Sequence, residues 1–82
     1  MIDHRMVLLQ ILESILDRND KEKLNDNTDL LISGIMDSFG WINLLQEFET
    51  KTGLVIDFEA LSVAADITTF GGLVAALKKH TS

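Results

Sequence analysis

Eighty-two residues, 46% of them apolar, supply one small core near the lower limit for folding without staples. The absence of Cys excludes disulfides, a thiolate metal site and a thiol nucleophile. A net charge of −6 argues against nucleic acid, whose phosphates demand clustered Lys and Arg, and suits partners that carry basic patches.

Apolar residues at helical spacing predict a first helix over residues 2–17. Leu8, Ile11, Leu12 and Ile15 fall on one face, with Gln10, Glu13, Ser14 and Asp17 on the other. Residues 18–37 break that period. Asp20, Glu22, Asn25, Asp26, Asn27 and Asp29 crowd the first part, and Leu24, Leu30, Leu31, Ile32 and Ile35 punctuate it. This reads as a long loop anchored by those apolar residues, with room for one short helical turn. Gly34 supplies a turn near its end. A second helix starts at Ser38, with Ser38 as N-cap or within one residue of it. Trp41, Leu44, Leu45 and Phe48 form its apolar stripe, and Gly53 ends it. Leu54, Val55 and Ile56 form an extended segment with no second strand to pair with. Residues 58–64 suit a short third helix. Residues 66–69 offer capping side chains for a last helix carrying Phe70, Leu73, Val74 and Leu77. Gly71 and Gly72 weaken that helix by about 1 kcal/mol each relative to Ala, and suggest a close helix–helix approach. Lys78 and Lys79 complement the dipole of its last turn. There is no internal repeat, and residues 1–82 read as one all-α, four-helix domain.

Catalytic readings fail on inventory. A Ser-His-Asp triad needs a His beside the Ser, but His4 and His80 sit near the two ends of the chain and read as solvated tail residues. The acids of residues 20–29 lack the ligand order of a calcium loop. No metal site is expected. No apolar run reaches the length of a bilayer span, and the N-terminus carries no signal-peptide pattern, so a cytoplasmic protein is expected.

One triplet stands apart. Asp37-Ser38-Phe39 places a hydroxyl between an acid and an apolar residue at a helix start. From the residues alone Ser38 has two readings, a plain cap or a point of covalent attachment. The stretch Gly34-Ile35-Met36-Asp37-Ser38-Phe39, followed by Leu44, Leu45 and Phe48, resembles the phosphopantetheine attachment site of acyl carrier proteins, with Phe39 where that family has Leu. Thr28-Asp29-Leu30 upstream and Ile67-Thr68-Thr69-Phe70 downstream resemble the flanking segments of the same family. Asp37-Ser38-Phe39-Gly40 with the Leu44-Leu45 pair looks most like discrete D-alanyl and other aminoacyl carriers. So does the longer interval from Ser38 to Ile67. In two places the chain departs from the pattern. The second helix is poor in Glu, with Asn43 and Gln46 at exposed positions, and Asp57 stands where the D-alanyl group often has Pro.

The resemblance implies a four-helix bundle with a long loop between helices 1 and 2 and a short third helix. It implies a 4'-phosphopantetheine arm on Ser38, placed there from coenzyme A by a phosphopantetheinyl transferase. An adenylating or acyl-loading enzyme and downstream acceptor enzymes would follow as partners of a monomeric, non-catalytic carrier. Asp37, Phe39, Ile42, Asn43 and Gln46 would form its docking face. Phe39 also reads as an ordinary core residue. The other readings are a fatty-acid or polyketide-type carrier and a structural bundle in which Ser38 is only a cap.

Overall fold

Helices in this chain begin where a short polar side chain can catch a free backbone N–H. Asp3, Asp17, Asp37, Asp57 and Thr69 each accept a hydrogen bond from the N–H three residues ahead. Such caps contribute about 1 kcal/mol each, and the carboxylates also suit the positive end of the helix dipole. The computed structural model describes residues 2–81. Its five helices are α1 (His4–Ile15), α2 (Arg18–Lys23), α3 (Ser38–Thr52), α4 (Phe58–Ser62) and α5 (Phe70–His80). The expected four become five because the Asp17 cap starts a six-residue helix inside the acidic loop. Among the described residues no strand forms. Two isolated antiparallel bridges join Asp29 to Thr69 and Ile56 to Thr81.

The core follows the apolar periods. α1 packs against α3 and α5, and α4 packs against α5. Leu8, Ile11 and Leu12 of α1 meet Leu44, Leu45 and Phe48 of α3, and Phe70, Leu73, Val74 and Leu77 of α5. Leu30 from the loop, Ile56 after α3, Leu61 of α4 and Ala76 of α5 complete the set. Gly53 ends α3 in the left-handed region at φ 72°, where Gly has no Cβ to clash.

Several residues lie elsewhere than their spacing suggested. Ile15, on the last turn of α1, is exposed because the chain leaves the helix at Leu16 and α1 has no neighbour there to cover it. Ile32 is 87% exposed and anchors nothing; Leu30 alone of the loop residues is fully buried. Segment 54–56 does find a partner, since Ile56 bridges Thr81 and the Asp57 N–H donates to the His80 carbonyl. His4 and His80 are half-buried rather than solvated, because the two ends of the chain come together. The His4 ring stacks on Phe48 with centroids 5.5 Å apart, and its Nε2 lies 3.1 Å from Thr81 Oγ1. The close approach at Gly71 and Gly72 is to loops and not to a helix. A Cβ on Gly71 would lie 2.8 Å from the Asp26 Cβ, and one on Gly72 would lie 1.9 Å from the Asp66 carbonyl oxygen.

Candidate functional site at the start of α3

The N-cap of α3 is Asp37, not Ser38. Its Oδ1 accepts from the Gly40 N–H at 2.8 Å, and its extended backbone turns the chain into the helix. Ser38 is therefore the first helical residue, exposed and free of capping duty. Its hydroxyl stands at the positive end of a 15-residue helix, a position that favours an anionic substituent. Gly40 matters to this geometry. A Cβ there would lie 3.2 Å from the Met36 Cβ and 3.4 Å from the capping oxygen itself, so a bare backbone keeps the turn tight. Spacing of apolar residues does not single out Gly40; its sign in the sequence is its place three residues after a capping acid.

The face around Ser38 carries no charge from residue 38 to residue 46. Phe39 is 77% exposed and Ile42 is 45% exposed. Asn43 and Gln46 are exposed as well. Helical spacing sets Phe39 beside Ile42 and Asn43, and Ile42 beside Gln46, in one stripe. The two readings of Phe39 thus resolve to the surface. Leu44, Leu45 and Phe48 face the core, and Trp41, one turn after Ser38, is half-buried where that core side borders Ser38.

What holds this helix start in place lies in the loop before it. Asp29 accepts from the Leu31 and Ile32 N–H groups at 3.0 and 2.8 Å, and from the Thr68 hydroxyl at 2.7 Å. The Leu30 N–H donates to the Thr68 carbonyl, and the Phe70 N–H donates to the Thr28 carbonyl. The two flanking segments noted in the sequence, 28–30 and 67–70, are thus bonded to each other. The Met36 N–H then donates back to the Leu30 carbonyl, which carries the anchoring up to Asp37. The Ile32 N–H, then the Thr68 hydroxyl, hold the Asp29 carboxyl below the usual carboxylate range, against some desolvation. A second tie sits at Arg5, whose guanidinium pairs with the Asp26 carboxylate and lies 5.5 Å from the centre of the Phe70 ring. That hydrogen-bonded pair lowers the Asp26 pKa and raises that of Arg5.

Among the described residues no cluster of His, Asp and Glu could hold a metal ion, and no helix is long and apolar enough to cross a membrane. The chain matches the family model described as "Phosphopantetheine attachment site" over residues 7–77. It belongs to the phosphopantetheine-attachment family. No curated protein and no solved structure shows significant similarity to it. The family's domain is the attachment site of the covalent 4'-phosphopantetheine group, so this chain is a carrier of that group. Its mostly helical architecture is compatible with the fold of acyl carriers. Membership also implies encounters with a phosphopantetheinyl transferase and with the enzymes that use the loaded carrier. The residues present suit the group: an exposed hydroxyl, a helix N-terminus for the phosphate charge, and an accessible apolar flank.

Proposed function

We propose that Ser38 is the attachment residue and that this carrier presents an amino acid or a small acyl group to partner enzymes. The observation that carries the reading is the division of labour between neighbours. Asp37 caps α3, so Ser38 Oγ stands exposed at the helix start with nothing structural to do. In the transfer, Ser38 Oγ gives its proton to a base of the transferase and bonds to the pantetheine-side phosphorus as the pyrophosphate link of coenzyme A breaks and adenosine 3',5'-bisphosphate departs. Asp37 keeps the first turn rigid and adds negative charge for a cationic enzyme. When bound, the arm supplies a thiol that holds cargo as a thioester. The chain itself catalyses nothing; tethering raises the effective concentration of cargo at each enzyme it visits.

Phe39, Ile42, Asn43 and Gln46, with Asp37, serve as the docking face. Partners that close on Ser38 meet this stripe first, and an exposed aromatic residue is a common anchor at interfaces. The uncharged start of α3 supports the aminoacyl or small-acyl reading over a fatty-acid carrier, whose docking helix is dense in Glu. The half-buried Trp41 supports it too, since a full indole beside Ser38 takes room that a long chain would need. An adenylating or acyl-loading enzyme then charges the arm, and acceptor enzymes discharge it. The carrier works as a monomer in the cytoplasm, as one domain spanning residues 1–82, its −6 charge opposing self-association.

Incubation with coenzyme A and a broad-specificity transferase tests the attachment. Wild type gains one phosphopantetheine by intact mass, and Ser38→Ala gains none while melting within about 0.5 kcal/mol of wild type, as expected of an exposed residue outside the cap. Modification at another residue overturns the assignment. Loading with a panel of amino acids and acyl groups of increasing length tests the cargo. Preference for long acyl chains would move the protein to the fatty-acid or polyketide class.

A further inference from the structure

Trp41 holds an unresolved donor next to the proposed attachment point. Its indole Nε1–H is buried and has no acceptor among the described residues. An orphaned buried N–H of this kind is destabilising, and buried indole N–H groups ordinarily find a partner. The chain keeps an indole here although Phe or Leu would fill apolar space without that penalty. Trp41 lies three residues after Ser38, one turn along the same face of α3. Helical side chains lean back toward the helix N-terminus and cover the preceding turn, so the indole leans toward the turn that begins at Ser38. Trp41 is only half-buried, at the rim of the core, so part of the indole is open to a group outside although its N–H is covered. The polar residues of the exposed stripe, Asn43 and Gln46, stand further along the helix.

We infer that Trp41 Nε1–H is a binding donor for the phosphopantetheine arm, satisfied when the arm is attached and lies back along the first turn of α3. This rests on the reading of Ser38 as the attachment residue. The arm is rich in the missing chemistry: a phosphate, a hydroxyl and two amide carbonyls all accept hydrogen bonds. An arm held there is partly ordered near its root, and its thiol end stays free for cargo. The penalty of the unmodified form becomes a gain on modification, so Trp41 gives the modified carrier a stability advantage that a phenyl ring could not give.

The chain has a single Trp, so its indole N–H resonance in a nitrogen-15 correlation spectrum is unambiguous. Intact mass first establishes that the arm is on Ser38; a failure at that stage overturns the Ser38 reading and this inference with it, whereas the spectra of the modified protein test Trp41 alone. On the modified protein the indole proton is expected to move downfield, by more than the backbone amides of the middle of α3. Melting temperature is expected to rise on modification of wild type and to stay level on modification of Trp41→Phe. Ser38→Asp controls for charge alone. An unmoved indole proton on the modified protein overturns the inference, as does the same downfield shift in unmodified Ser38→Asp. Phosphorus-31 and carbonyl carbon-13 resonances of the arm, compared between wild type and Trp41→Phe, identify the acceptor as phosphate or amide. If neither changes, the arm is not the partner and the inference fails.

Discussion

Two exposed stretches of this chain look alike by accessibility and differ in what they are for. Three of the five acids from Asp17 to Asp29 spend their carboxylates on hydrogen-bond partners within the chain. Asp17 caps α2, Asp26 pairs with Arg5, and Asp29 ties a turn and reaches across to Thr68. The start of α3 does the reverse. Past the capping Asp37, Ser38, Phe39, Ile42, Asn43 and Gln46 point outward. The lesson is that exposure alone marks nothing. Polar residues with internal partners build the scaffold, whereas apolar residues kept outside without one are placed for something that arrives later.

Separate substitutions in the two stretches should break this comparison if it is wrong. The largest structural effect is expected from Asp29→Ala, which removes three hydrogen bonds, among them the side-chain link between segments 28–30 and 67–70. Its melting temperature should fall by several degrees, and modification of Ser38 should slow although residue 29 does not touch it. A variant that melts like wild type would show the loop to be held by other means. Phe39→Ala should do the opposite. Stability should be unchanged or slightly higher, while transferase or loading efficiency falls about tenfold, as for an interface anchor worth about 1–2 kcal/mol. Unaltered kinetics with all tested partners would remove Phe39 from the docking face.

Acid should act on the scaffold stretch. Asp26 and Asp29 have folded pKa values below their unfolded ones, so the stability they contribute is present above the unfolded value near ~3.9. It is lost as pH falls from there through the depressed folded values. Thermal melts from pH 5 down to pH 2 should show that loss in wild type and a shallower one in Asp29→Ala. Equal slopes would mean that other acids govern the transition. Salt is expected to have the smallest effect. Thirteen acids against seven bases repel one another, and the exposed Arg5–Asp26 pair returns little, so moderate salt should raise the melting temperature slightly. A fall would show that the ion pair outweighs the net repulsion.

Much of the site was readable because its parts are local. A cap at or beside Ser38, an apolar stripe of period 3.6 and a Gly after the last turn all act within one helix. Spacing along the chain therefore specifies them. The Asp37-Ser38-Phe39 triplet stands out at that helix start, and the two flanking segments stand out through their resemblance to the acyl-carrier family. Which of two adjacent residues caps was not readable: Asp and Ser are near-equal caps, and only the backbone turn chose Asp37.

Periodicity and caps, properties of neighbours in the chain, specified four of the five helices and, Ile15 apart, the core faces of α1, α3 and α5. Tertiary structure decided what that pattern leaves open. It set Phe39 and Ile32 outside, left Ile15 uncovered, and brought His4 against Phe48 and Thr81. It also closed segment 28–30 onto segment 67–70 through Asp29 and Thr68. These outcomes depend on which faces meet after collapse, and on contacts between residues far apart in the chain. A local period carries no record of them.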